Sequence, residues 1–205
     1  RYTNDSFRAL AGNVSLKASH DASVARTDFA ALVSLNLGIP FSVQFADSTA
    51  ASAGEPWLYA VHGPEYEHWL ADSASVAQGE GPDTLHYTDA YLSDRAAMLN
   101  ALAQLNTLDA TALTNGPGLS SMHYADLAQG VAFDVGLPSS VVDKRQIVFG
   151  SAVVDQLTGG GKEDHLYGGN GADTLVGLAG ADRLEGQDGD DTLDGMDGDD
   201  RLYGG

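Results

Sequence analysis

From residue 150 onward the sequence is written in one nine-residue unit, Gly-x-x-Gly-x-Asp-x-Leu-x, and so short a period leaves few folds open. In register the units read GSAVVDQLT, GGGKEDHLY, GGNGADTLV, GLAGADRLE, GQDGDDTLD and GMDGDDRLY, followed by GG. Asp155, Asp164, Asp173, Asp182, Asp191 and Asp200 hold the sixth position, and Leu157, Leu166, Leu175, Leu184, Leu193 and Leu202 the eighth. Residues two apart in an extended chain project to the same face, so Asp and Leu of one unit point the same way. Between them stand Gln156, His165, Thr174, Arg183, Thr192 and Arg201, all polar, which predicts an outward, solvated file. Glycine at the first and usually the fourth position marks the rest of each unit as a tight turn, where a Cβ does not fit.

Alternating short strands and tight turns predict a flattened right-handed coil in which two units complete one circuit. Each unit then stacks on the unit two places later, and the aspartates fall into two files: Asp155, Asp173 and Asp191 on one edge, Asp164, Asp182 and Asp200 on the other. Carboxylates one strand spacing apart, about 4.8 Å, repel one another and are costly to desolvate, so a cation is expected between them. The expected ligands are Asp164, Asp173, Asp182, Asp191 and Asp200, with turn glycines Gly159, Gly168, Gly171, Gly177, Gly180, Gly186 and Gly189 contributing carbonyl oxygens. An all-oxygen cage suits Ca²⁺ far better than Zn²⁺, and the chain has no cysteine to compete. Gly150 to Thr158, with Ser151 and Val153 at turn positions, is expected to be a degenerate cap with an incomplete site at Asp155. Lys162 holds the fourth position of the second unit, and Leu178, Gln187 and Met196 replace the second glycine, a loss the turns are expected to tolerate.

Ordering each residue costs on the order of 1–2 kcal/mol of backbone entropy, whereas one buried Leu per unit returns only about 1.5–3 kcal/mol. The roll is therefore expected to be unstable without metal, so that binding and folding are one event.

These units resemble the RTX nonapeptide repeat, GGxGxDxUx, of secreted hemolysin-type calcium-binding proteins. The resemblance covers about the last quarter of the chain. It implies a parallel β-roll with Ca²⁺ in its turns and export through type I secretion machinery. More weakly, YLSDRAAML and RQIVFGS followed by DHLYGG are similar to the segment that precedes the repeats in some large secreted RTX proteins. The resemblance implies an adaptor between an upstream activity and the roll.

The chain opens on Arg and stops two residues into a seventh unit, so a segment of a longer protein is expected. The net charge of −19 argues against nucleic acid or an anionic membrane as partner. Acids outnumber bases 13 to 3 in the roll and 16 to 7 before it, so the roll is the denser anion. No apolar run is long enough for a transmembrane segment.

Residues 1–149 are expected to be an α+β or mostly helical region, followed by an all-β right-handed parallel β-roll over 150–205. A short strand is expected at Val14 to Leu16 and another at Phe41 to Phe45. One helix is expected from Asp21 or Ser23 through Leu35, a short one over PEYEHWLAD with Trp69 and Leu70 on its apolar side, and one capped by Thr88 from Asp89 to about Leu105. Asn115 to Gly118 breaks the chain. Met122 to Leu127 and Val131 to Val135 around Gln129-Gly130 predict a β-hairpin, and Val141 to Phe149 a strand feeding the roll.

No catalytic motif stands out: there is no G-x-S-x-G elbow and no H-E-x-x-H helix. An EF-hand over DDTLDG fails because Arg201 stands where a bidentate Glu is required. His62 and His68 do not have the spacing of a helical metal pair, and Ser121, His123 and Asp126 are close only in sequence. His20 beside Asp21 fits a surface His next to a helix cap, and Trp57 fits a core aromatic. Two further roles stay open for the parent protein. One is a lipase-like hydrolase whose nucleophile lies upstream, the other a surface adhesin in which the roll is a spacer.

Overall fold

The computed structural model describes residues 14–18, 21–38, 41–45, 63–79, 81, 84–107, 121–136 and 140–205. The chain divides into two compact units, Arg1–Asn100 and Ala101–Gly205. His20, Trp57, His62 and the break at Asn115 to Gly118 lie outside the described residues.

In the first unit both expected strands are present: β1 (Val14–Ala18) pairs antiparallel with β2 (Phe41–Phe45). The single helix expected from Asp21 to Leu35 is instead two, α1 (Ala22–Thr27) and α2 (Phe29–Asn36). Asp28 causes the break: its backbone is extended and its carboxylate accepts from Ala31 N at 3.2 Å, as Asp21 accepts from Ser23 N at 2.9 Å. A short acidic side chain here competes with the helical backbone and starts a second helix. Ala31, Leu32 and Leu35 are fully buried.

Helix α3 (Gly63–Gln78) runs further than the short segment expected. Trp69 does turn inward and donates its indole N–H to the Ala25 carbonyl at 3.2 Å, whereas Leu70 is exposed. Helix α4 (Asp89–Thr107) is capped as expected, Thr88 Oγ1 accepting from Tyr91 N at 3.1 Å. Asp72 is buried and accepts from the backbone of His86 and Tyr87, with Arg26 beside it at 3.6 Å. No helix among the described residues is long and apolar enough to cross a membrane.

The second unit is built on the repeat. A hairpin, β3 (Met122–Asp126) and β4 (Val131–Val135), turns at Gln129-Gly130 with Gly130 at a positive φ of 64°. Strand β5 (Arg145–Ser151) then pairs parallel with β3. The expected strand start at Val141 is instead a single 3₁₀ turn, Val141–Asp143. Six short strands follow: β6 (Gln156–Thr158), β7 (His165–Asn170), β8 (Thr174–Val176), β9 (Arg183–Asp188), β10 (Thr192–Asp194) and β11 (Arg201–Tyr203).

From β5 onward odd and even strands separate into two sheets, one ordered β11-β9-β7-β5-β3-β4, which the hairpin extends, and the other β10-β8-β6. Within the repeats every pairing is parallel, with His165 opposite Arg183, Arg183 opposite Arg201, and Gln156 and Thr192 both opposite Thr174. That offset is two nine-residue units, so the segment is a parallel β-solenoid of about three turns. Its interior is a ladder of Ala125, Val148, Leu157, Leu166, Leu175 and Leu184, with Leu193 packed against it.

The outward file differs between the sheets. Gln156, Thr174 and Thr192 are exposed as expected. Arg183, expected to be solvated, is buried. Its guanidinium is ion-paired with Glu185 and lies 4.3 Å from the centre of the Tyr203 ring. Two residues along each strand, Phe149 and Tyr167 stack at 5.0 Å, so the outer face of the larger sheet carries a packed aromatic and ionic layer. Residues two apart share a face, and Glu185 is therefore within reach of Arg183.

Candidate metal centre

The turns bring the aspartates into the two files that the period requires. Along one, Asp164 N donates to Asp182 Oδ1 at 2.8 Å and Asp182 N to Asp200 Oδ1 at 2.9 Å. Along the other, Asp155 N donates to Asp173 Oδ1 and Asp173 N to Asp191 Oδ1, both at 2.8 Å. Each carboxylate thus spends one oxygen on the backbone of the unit stacked before it. Asp164, Asp173 and Asp182 are at most 1% exposed, because the Leu two positions on turns to the same interior.

The second carboxylate oxygen separates the aspartates into two groups. Asp155 Oδ2 accepts from Ser151 N at 2.6 Å and from Ser151 Oγ at 2.8 Å. Asp164 Oδ2 accepts from Gly160 N at 2.5 Å. Asp173 Oδ2, Asp182 Oδ2 and Asp191 Oδ2 are buried with no hydrogen-bond partner. A buried, unsatisfied carboxylate oxygen is expensive, and a folded chain keeps one where another group satisfies it.

Beside these oxygens lie backbone carbonyls. A Cβ on Gly168 would stand 2.6 Å from both Asp173 Oδ2 and the Gly186 carbonyl; one on Gly159 would stand 2.6 Å from both Asp164 Oδ2 and the Gly177 carbonyl. Gly177 is pressed in the same way against Asp182 Oδ2 and the Gly195 carbonyl, and Gly186 against Asp191 Oδ2 and the Gly204 carbonyl. First-position glycine is therefore a space requirement, because any side chain would fill the recess into which these oxygens face. Gly171, Gly180 and Gly189, at the fourth position, have φ of 140°, 150° and 143° and lie against the carbonyls of the unit stacked before them. Leu178, Gln187 and Met196 adopt φ of 78°, 70° and 62°, so the second position keeps its left-handed backbone even without glycine.

Electrostatics follow from this packing. Burial pushes the Asp164 carboxyl up to about 6, against the two backbone N–H groups that hold it down. Burial also raises Asp173 and Asp182, and the neighbouring carboxylates, Asp191 and Asp155 for the first and Asp200 for the second, raise them further. With hard oxygen donors only, and no sulfur in the chain beyond methionine, the donor set fits Ca²⁺.

Of the other candidates, Ser121, His123 and Asp126 lie on or beside the β3–β4 hairpin. His123 Nδ1 meets Asp134 Oδ1 at 2.8 Å across the hairpin, and Lys144 Nζ meets Asp134 Oδ2 at 2.8 Å. The Lys144 ammonium holds the Asp134 carboxyl below its usual range. Asp126, three residues after His123, accepts from Gln129 N at 3.0 Å and shapes the hairpin turn. Sequence reasoning did not find the role of Ser151, although a hydroxyl four residues before Asp155, at a glycine position, is a readable signal.

The family described as RTX calcium-binding nonapeptide repeat (4 copies) matches residues 149–184 and 176–205. No curated protein and no solved structure matches the chain.

Proposed function

We propose, taking residues 149–205 as RTX calcium-binding nonapeptide repeats, that this chain is the calcium-folded segment of a larger bacterial protein exported through type I secretion machinery. Residues 150–205 serve as the calcium module and residues 1–149 as an adaptor to an activity upstream. The observation that carries this reading is the set of buried, partnerless oxygens Asp173 Oδ2, Asp182 Oδ2 and Asp191 Oδ2, stacked in register beside glycine carbonyls. Asp164, Asp173, Asp182, Asp191 and Asp200 hold the ions, with carbonyls of Gly159, Gly168, Gly171, Gly177, Gly180, Gly186 and Gly189 completing the shells. Bound calcium supplies divalent charge between carboxylates that otherwise repel.

Where calcium is scarce the two acidic files push the coils apart, and the chain stays extended enough for export. Outside the cell, where extracellular calcium modules work at affinities of about 10⁻⁴–10⁻³ M, the files close, the strands pair and the domain in front gains a folded neighbour. Circular dichroism through a calcium titration, reversed with EGTA, tests this. A gain of β-signal and thermal stability with calcium is expected; an unchanged spectrum rules the reading out.

A further inference from the structure

Two units before Gly159 to Tyr167 the chain runs Val141 to Phe149, a stretch without a single glycine. It nevertheless occupies a full place in the roll. Its strand half pairs in roll register, with Ile147 opposite His165, Val148 opposite Leu166 and Phe149 opposite Tyr167. Val148 stands where the repeats carry Leu and lies in the same interior ladder.

The turn half makes the roll's own hydrogen bonds. Gly161 N donates to the Val142 carbonyl at 3.0 Å, the counterpart of Ala179 N on the Gly160 carbonyl at 3.1 Å and of Asp197 N on the Leu178 carbonyl at 2.8 Å. Gln146 N donates to Asp164 Oδ1 at 2.6 Å, as Asp164 N does to Asp182 Oδ1. The sixth position of this stretch, aspartate in every recognisable unit, is Gln146, buried at 4% exposure. Its Nε2 reaches the recess at Gly160, where an added Cβ would come within 2.9 Å of it and 2.6 Å of the Val142 carbonyl.

A neutral amide at that place adds no charge to the file and supplies N–H donors itself. In the next two aspartates the second oxygen is met within the turn, Asp155 Oδ2 by Ser151 and Asp164 Oδ2 by Gly160 N, and only from Asp173 onward is a buried Oδ2 left over among the described residues. We propose that Val141 to Phe149 is a metal-free first unit of the roll, closed by the Gln146 amide. Together with the β3–β4 hairpin it holds the start of the solenoid folded before calcium binds, so that ordering spreads from this cap toward Gly205. The proposal rests on the calcium reading for the later units only.

Hydrogen exchange of the full chain, followed by mass spectrometry in EGTA and in calcium, tests it. Protection of β3, β4 and β5 in both buffers is expected, with β8, β9, β10 and β11 protected only in calcium. If β5 exchanges as fast as β9 in EGTA while calcium still protects both, the cap is overturned and the calcium reading stands. If every strand is protected in EGTA, calcium-coupled folding falls, and the cap's separate role with it. The near-isosteric Gln146→Glu puts a carboxylate against Asp164. It should lower β5 protection in EGTA about tenfold, the effect of one pKa unit of repulsion, and calcium should restore it. Unchanged protection in that variant would also overturn the cap.

Discussion

Asp182→Asn separates a metal ligand from a mere hydrogen-bond acceptor. Asp182 is 1% exposed, its Oδ1 accepts from Asp164 N at 2.8 Å, and its Oδ2 has no partner. Asparagine keeps the volume and the acceptor for Asp164 N, but it removes the charge and replaces the partnerless oxygen by an N–H₂ group. With calcium held at about a hundred times its Kd, each ion bound only by the folded roll contributes about 2.7 kcal/mol. Losing one ion from the file of Asp164, Asp182 and Asp200 costs about that much. For a unit of this size 1 kcal/mol moves Tm by roughly 4–8 °C, so the variant should melt roughly 10–20 °C lower in calcium. In EGTA the sign reverses. Burial and Asp200 already disfavour the Asp182 charge, and its removal should leave the metal-free chain as stable as the parent or more so. The assay is thermal melting by circular dichroism in both buffers, with bound calcium counted by equilibrium dialysis. An equal loss of Tm in the two buffers, or an unchanged ion count, would refute the reasoning.

Three further outcomes follow from the same geometry. The Asp164 carboxyl is raised from 3.8 to about 6 in the folded chain, so protonation favours the metal-free roll. This contribution is full below the ordinary carboxylate pKa and fades as pH rises through about 6. The β-signal that remains in EGTA should therefore fall between about pH 4.5 and pH 7.5, read by circular dichroism, while calcium affinity strengthens over the same interval. Gly168→Ala drives a Cβ against Asp173 Oδ2 and the Gly186 carbonyl, both backbone-anchored, and should cost more than about 2 kcal/mol together with an ion. Calcium titration calorimetry measures both losses. Met196→Gly relieves a left-handed φ of 62° on an exposed residue and should stabilise by about 0.5–1 kcal/mol, read as a higher urea midpoint.

The solenoid was legible because a nine-residue period writes strand, turn and charge at once. Asp and Leu two apart fix one inward face, and glycine fixes the turn, so the two files of aspartates, the offset of two units and the interior leucine ladder follow from the sequence. The hairpin was legible for a similar local reason, two apolar runs around Gln129-Gly130. What stayed hidden depended on partners rather than on period. Arg183 looks solvated in a list of polar outward residues and becomes buried through Glu185 and Tyr203. Asp28 looks like one more helical residue until its carboxylate turns back on Ala31 N. Gln146 carries no glycine around it to announce a turn, and only its register with Asp164 reveals its place. Leu178, Gln187 and Met196 show that the turn's backbone survives the loss of its second glycine, which the stacked neighbours enforce.

A crystal structure grown in calcium, with ions identified by their anomalous signal, tests the central claim most directly. The account predicts ions in the turns bonded to Asp173 Oδ2, Asp182 Oδ2 and Asp191 Oδ2, with glycine carbonyls in the same shells. Those three oxygens meeting only water or protein donors, with no ion between the stacked carboxylates, would contradict it.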